Sequence, residues 1–133
     1  MAYLKPPWFT QRVFNPLAMK FGIGGAVALA VAGRKTGQQR MVPVIPVECN
    51  GVRYLVCPRG ETEWVRNLRA ASAGELRRKG TTERLTATEV PVDERPPILE
   101  AYRRVAGRVV ESQFKTLPDP ADHPVFRIEP RTT

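Results

Sequence analysis

The dipeptide Asn50-Gly51 constrains this chain more than any other feature. It stands between two β-rich runs, 44–49 and 52–57, and Asn-Gly supplies the two positive φ angles that a type I′ turn requires. An antiparallel hairpin therefore occupies the middle of the sequence, and the rest of the fold must be built around it. Ala26 to Ala32 carries Val27, Leu29 and Val31 on alternate positions, the pattern of a mostly buried strand. Met41 to Glu48 is rich in Val and Ile but contains Pro43 and Pro46. Proline cannot donate to a ladder, so this strand is expected at a sheet edge or with a bulge.

The remaining elements follow from punctuation and period. Thr62 to about Ser72 places Trp64, Val65, Leu68 and Ala71 on one helical face. Glu75–Lys79 and Glu83–Pro91 are short strands around a Gly80-Thr81-Thr82 turn, and Val125–Glu129 is a last strand. A second helix is expected from Asp93 as N-cap, with Pro96 and Pro97 in its first turn and Gly107 as its stop. Its apolar stripe is Ile98, Leu99, Tyr102, Val105 and Ala106. The tally is about six antiparallel strands and two or three helices. Strands do not alternate with crossover helices, which argues against a doubly wound parallel sheet and for a small antiparallel barrel. The 133 residues suffice for one such domain. Ahead of it, residues 1–25 form an amphipathic segment with Trp8, Phe9, Val13, Phe14 and Leu17, broken at Asn15-Pro16.

Several chemistries fall away. The longest apolar run, Phe21 to Gly33, has 13 residues interrupted by three glycines, where a spanning helix needs about 20. It lacks the small-x-small site of a secretory signal, so a reduced, cytoplasmic protein is expected. Cys49 and Cys57 are too few for a disulfide framework, and with His123 as the sole histidine no metal site is expected. A Ser-His-Asp or Cys-His site would rest on His123 alone, in the loop 120–124 that reads as surface. Gly22-Ile23-Gly24-Gly25 lacks the third glycine of a dinucleotide fingerprint, and no Walker spacing occurs.

Charge is the outlier. Lys plus Arg is 21 against 13 Asp plus Glu, a net of +8, which calls for an anionic partner. Arg59, Arg66, Arg69, Arg77, Arg78, Lys79 and Arg84 contain only Trp64 as an interleaved aromatic. They read better as a solvated face than as a nucleic-acid surface, where stacking residues are needed. Gly33-Arg34-Lys35-Thr36-Gly37-Gln38-Gln39-Arg40 is different, because two glycines bracket polar residues directly after a buried strand. Backbone N–H groups in such a turn can form an anion nest flanked by cations. A basic turn that merely aids solubility is the plainer alternative.

These residues, followed by Pro43, the Asn-Gly hairpin, Arg59-Gly60 and Trp64-Val65-Arg66-Asn67-Leu68-Arg69-Ala70, resemble the deazaflavin-dependent nitroreductase family. Its members are actinobacterial reductases that use coenzyme F-420. Leu85-Thr86-Ala87 and Asp93-Glu94-Arg95 extend the resemblance, which covers roughly 26–106. It implies a split β-barrel of the flavin-reductase type as the cofactor-binding domain over 26–133. It also implies that Arg34, Lys35, Thr36, Gly37 and Arg40 hold the coenzyme's phosphate and acidic tail. Val42 and Pro43 would flank the deazaflavin ring, Val56, Pro58, Arg59 and Gly60 would line its other side, and Trp64 and Asn67 would close the pocket. FMN is the less favoured cofactor.

Two departures from the family pattern matter. Only Glu61-Thr62-Glu63 separates Gly60 from Trp64, where relatives have a longer Gly-rich loop. Ile45 and Pro58 stand where nitroreductase members place Tyr and Ser beside the ring. An apolar acceptor such as a quinone or enone then suits the site better than a nitro compound, with Ile45 and Tyr102 on the substrate side and the proton donor unassigned. A split-barrel protein that keeps a flavin, haem or lipid without turnover is the alternative, ahead of a basic nucleic-acid module. The N-terminal segment is expected to cap the pocket, with peripheral membrane contact as its rival. Monomer and homodimer both remain open.

Overall fold

The computed structural model describes residues 26–78 and 80–131. Seven strands form one antiparallel sheet: β1 (Val27–Ala32), β2 (Gln39–Val44), β3 (Val47–Cys49), β4 (Val52–Val56), β5 (Ala73–Arg78), β6 (Thr81–Glu89) and β7 (Val125–Pro130). Their order across the sheet is β2-β1-β5-β6-β7-β4-β3. The two edge strands, β2 and β3, are thus consecutive in sequence and joined only by Ile45-Pro46. Three virtual Cα bonds span at most about 11 Å, whereas a flat seven-stranded sheet would hold its edges about 29 Å apart. The sheet must curl until its edges approach, and it forms a split barrel.

The prolines explain why the curl stops short of pairing. The expected single strand from Met41 to Glu48 is broken at Ile45-Pro46, so the strand count is seven instead of six. Both pieces lie at an edge, as proline requires. The hairpin is as expected: Cys49 pairs with Val52, and Asn50 and Gly51 have φ of 54° and 80°.

Alternation sorts the side chains into two cores. Leu29, Val31, Val44, Leu55, Leu76, Leu85, Phe126 and Ile128 form one, closed by Val65 and Leu68 of α1 (Glu63–Ala71). Ile45, Val47, Val56 and Val125 form the second, covered by Ile98, Leu99, Tyr102 and Ala106 of α2 (Pro96–Ala106) and by Val110 and Phe114 of α3 (Arg108–Thr116). Neighbours Leu55 and Val56 point into different cores, the period-2 rule within one strand.

Some expectations need correction. Asp93 lies in a short 3₁₀ turn, Val92–Glu94, and Arg95 is the residue before the helix. Pro96 and Pro97 sit in the first turn and Gly107 ends the helix at φ 64°, as expected. Helix α3 follows at once and has no counterpart in the sequence reading. Val105 and Ala71 are exposed, because each lies at the rim of its helix stripe. The N-terminal segment 1–25 and Lys79 lie outside the described residues.

Gly74 permits the contact between α1 and the sheet. A Cβ there would stand 3.0 Å from the Ala30 carbonyl oxygen and 3.4 and 3.6 Å from Leu29 and Leu68. The backbone oxygen cannot move aside as a side chain could. Gly74→Val is expected to destabilise the fold by about 1–3 kcal/mol through overpacking, measured by urea unfolding. An unchanged midpoint would show that the approach is not limiting.

Candidate functional site

The β1–β2 connection is a tight loop fixed by its own backbone. Gly33 N–H donates to the Gln38 carbonyl (2.8 Å), Gly37 N–H to the Gly33 carbonyl (2.8 Å), and Gln38 N–H to Thr36 Oγ1 (3.2 Å). Gly37 has φ of 75°, a conformation costly for any other residue. Helix α1 holds the loop from the side. Asn67 Oδ1, on a residue only 5% exposed, accepts from Arg34 N–H (3.1 Å) and from Arg34 Nη1 (2.9 Å). Arg34 Nη1 also donates to Glu63 Oε1 (2.9 Å), and this guanidinium holds the Glu63 carboxyl below the usual carboxylate range.

What remains uncommitted defines the site. Among the described residues, the N–H groups of Lys35 and Thr36 donate to no protein group. Lys35 and Arg40 form no salt bridge there, although Lys35 adds a longer-range attraction to Glu63. Other cations around the turn are matched: Arg66 with Glu63 (3.7 Å) and Arg77 with Glu75 (2.8 Å). Among the described residues these two N–H groups and two cations form a donor set with no acceptor, which fits a phosphate- and carboxylate-bearing ligand.

Below the turn, Val42 and Trp64 are both half-buried against the first core, and Trp64 meets Phe126 at 6.3 Å between centroids. An apolar wall therefore lies beside the cationic turn. The connection from β4 to α1 runs alongside. Pro58 and Arg59 are half-buried, Gly60 is buried at φ 89°, and each of the next three residues is tied down. Glu61 accepts two bonds from Arg69 (2.9 and 2.8 Å), Thr62 Oγ1 stands 3.5 Å from Cys57 Sγ, and Glu63 holds Arg34. Arg69 also donates to Glu89, which Arg95 Nη2 reaches at 3.3 Å. Arg69 thereby lowers the ionisation range of the Glu61 carboxyl.

The structure thus brings Arg34, Lys35, Thr36, Gly37, Arg40, Val42, Trp64 and Asn67 to the turn, α1 and the adjacent strand. Ile45, Val56 and Tyr102 lie together elsewhere, in the second core. Pro43 points to the sheet face opposite Val42, beside Ala28. The Tyr102 phenol is 3% exposed, and burial pushes its ionisation up. Two shallow clefts of about 220 and 380 Å³ lie near Tyr54 and Ile98 and near Ser72 and Phe126, away from the turn.

His123 is a correction. It is fully buried, not on a surface loop, and stacks on Phe114 at 4.2 Å between centroids. Its ring nitrogens face the carbonyls of Cys57 (Nδ1, 3.3 Å) and Leu117. The unrecognised helix α3 supplies Phe114 and leads directly into Leu117, so the sequence reading had nothing to bury His123 against. The Glu61–Arg69–Glu89–Arg95 chain was also missed. Its members are 8, 20 and 6 residues apart, a spacing that no local periodicity announces.

The sequence matches the profile of the F-420H(2)-dependent quinone reductase family over residues 8–118. The chain belongs to that family. Coenzyme F-420 is accordingly its cofactor, and the protein is an F-420-dependent reductase. The fold agrees with solved structures. An F-420-H2 dependent reductase (FDR-A) aligns at 24% identity and TM-score 0.61, over 78% of this chain and 93% of that one. A domain-swapped dimer aligns at 20% identity and TM-score 0.58, over 86% and 92%. HutZ, the haem storage protein from Vibrio cholerae, aligns at 13% identity and TM-score 0.58, over 91% and 92%. At such identities the likeness concerns the fold alone. No curated protein matches the chain.

Burial of Cys57, at the head of the 57–62 connection, has a pH signature. Its thiol is pushed up from an ordinary 9.0 to about 11 by burial, against hydrogen bonding from Thr62. A folded-state value above the unfolded one gives stability that is present below pH 9 and lost as pH rises toward 11. A difference of that size corresponds to about 2–3 kcal/mol. Cys57→Ala is expected to flatten the fall of unfolding free energy between pH 9 and 11, measured by urea titration at several pH values. Parallel profiles for both proteins would show that the thiol does not titrate on unfolding.

Proposed function

We propose that this reductase holds the anionic part of reduced coenzyme F-420 on the 33–38 turn and reduces an apolar electrophile, a quinone in the first place. The observation that carries this reading is the donor set of Lys35, Thr36 and Arg40, unused among the described residues, beside the apolar wall of Val42 and Trp64. Coenzyme F-420 bears a phosphodiester and an oligoglutamate tail, so charge complementarity orients it with its tail at the turn. When bound, it supplies the hydride, and the protein supplies orientation and electrostatics.

The chain's own residues have defined tasks in this reading. Lys35 and Arg40 neutralise the phosphate, and the N–H groups of Lys35 and Thr36 fix its position. Val42 and Trp64 exclude water from the ring side. The pinned connection 58–60 forms the other wall without closure of a long loop, because the three residues that follow it are already bonded. Pro58 has no N–H to donate, which favours an acceptor that asks for few hydrogen bonds. A substrate role for Ile45 and Tyr102 requires the acceptor to enter from the side of α2, where both reside. In this reading the amphipathic segment 1–25 caps the pocket and does not anchor to lipid. The relative that forms a domain-swapped dimer makes a homodimer the assembly to look for.

Fluorescence titration and menadione turnover test the reading together. Wild type is expected to bind coenzyme F-420 in preference to FMN and to oxidise its reduced form when menadione is added. Lys35→Ala with Arg40→Ala is expected to weaken binding by at least tenfold, the loss of two charge-assisted contacts, with the melting temperature preserved. Coenzyme binding without menadione-dependent oxidation would favour a binding protein over a quinone reductase. Equal affinity in the double variant would remove the turn from the site.

A further inference from the structure

Arg69, in the last turn of α1, holds two carboxylates that come from different parts of the fold. Its Nη1 and Nη2 donate to the two oxygens of Glu61 at 2.9 and 2.8 Å. Its Nε and Nη2 donate to the two oxygens of Glu89 at 2.7 and 2.9 Å. A guanidinium carries five N–H donors in a planar array, and these two forks use four of them. Arg95 Nη2 reaches Glu89 as well, at 3.3 Å. Two cations and two carboxylates then balance, and the set has no surplus positive charge to offer an anionic ligand.

The places of the two carboxylates give the forks their consequence. Glu61 directly follows Gly60, whose φ of 89° ends the 58–60 wall in a conformation that favours glycine. Upstream, the Cys57 N–H ties the connection to the Pro124 carbonyl at 3.0 Å. Downstream of the glycine, Thr62 N–H turns back onto the Gly60 carbonyl at 2.9 Å, a bond inside the connection itself. Glu61, with its side chain 11% exposed, is what fastens this end to other elements. Glu89 is the last residue of β6, and the next N–H, that of Val90, donates to the Val125 carbonyl at 2.8 Å. Arg69 thus refers the connection to the sheet as well as to α1. A lysine, with a point charge on a flexible stem, cannot reproduce both forks.

We infer that Arg69 is a positioning residue of this reductase: it holds Glu61 against Glu89 and so fixes where the 58–60 wall stands, without itself touching coenzyme or acceptor. The inference rests on the reading of residues 58–60 as a wall of the coenzyme site, and it adds the residue that sets that wall.

Turnover of reduced coenzyme F-420 with menadione, coenzyme affinity and melting temperature are measured for wild type, Arg69→Ala, Arg69→Lys, Glu61→Gln and the Arg69→Ala/Glu61→Gln pair. Arg53→Ala is the control, since Arg53 makes the same kind of fork with Glu83 (3.0 and 2.5 Å) from the other end of β4. Misplacing a reacting group by about 1 Å can cost about a hundredfold in rate, so Arg69→Ala is expected to lower kcat by about tenfold or more. Its coenzyme Kd and the salt dependence of binding are expected to stay near wild type. Arg69→Lys is expected to resemble Arg69→Ala, and the pair to be no worse than Arg69→Ala, because both changes remove one contact. Arg53→Ala is expected to lower the melting temperature and leave kcat unchanged, as a merely structural ion pair would.

Amide hydrogen exchange of the unliganded protein reads the anchor without the coenzyme. Arg69→Ala is expected to speed exchange at Thr62 by about tenfold, a local opening, and Arg53→Ala to leave it unchanged. A wild-type kcat in Arg69→Ala, a loss confined to affinity with a flattened salt slope, or unchanged exchange at Thr62 overturns the inference. Failure of wild type to oxidise the reduced coenzyme while Thr62 exchange responds as expected would instead reject the function proposed above and leave Arg69 as the anchor of the connection.

Discussion

The connection between β2 and β3 governs this molecule. Two residues, Ile45 and Pro46, join the opposite edges of a seven-stranded sheet, and a link of that length forces the sheet to curl. Curling creates an inner face, and the alternation along β1, β4 and β7 fills that face with Leu29, Leu55, Phe126 and Ile128. It also leaves an open side, which α1 closes with Val65 and Leu68. Once α1 is seated there, Asn67 and Glu63 stand within hydrogen-bond distance of the β1–β2 turn. The geometry of the candidate site follows from a chain too short to let the sheet lie flat.

Sequence reasoning reached what is local and stopped where contacts are distant. The Asn50-Gly51 turn needs only its own two φ angles, and Pro43 constrains its own strand to an edge whatever surrounds it. The turn 33–38 was legible because its glycines and cations are contiguous. Helix α3 was not: Gly107 is a sound stop signal for α2, and nothing in its identity says that another helix begins at Arg108. That omission carried His123 with it, since the imidazole is buried by Phe114 and Leu117 at the far end of the missed helix. Asp93 shows a different failure. It is a good cap by type, but a 3₁₀ turn intervenes and the helix starts at Pro96. In the site, the roles of Lys35 and Arg40 could be posed from sequence, whereas the commitment of Arg34 to residues 29 and 33 positions away could not.

Net charge describes this surface poorly. The +8 of the whole chain suggests a diffuse basic protein, yet the arginines on and around α1 lean on a smaller set of shared carboxylates. Arg69 is shared between Glu61 and Glu89, Arg66 leans on Glu63, and Arg77 on Glu75. Most are exposed pairs that contribute little to stability individually, but each removes a cation from competition for an anionic ligand. Among the described residues, Lys35 and Arg40 near the turn form no salt bridge. Selectivity for one polyanion over the many in a cell is better served by two free cations in fixed places than by seven in a field.

The short connection from β4 to α1 makes such fixity possible. A longer, glycine-rich loop would have to order itself when ligand arrives, at a cost of roughly 1–2 kcal/mol for each residue fixed. Here Glu61, Thr62 and Glu63 are bonded in turn to Arg69, Cys57 and Arg34. The carbonyl of Cys57 meets His123, whose own carbonyl meets Arg95. The two cores, which share no side chain, are therefore both in contact with the backbone segment 57–63. His123, buried beside Phe114 of the second core, touches this connection through the Cys57 carbonyl.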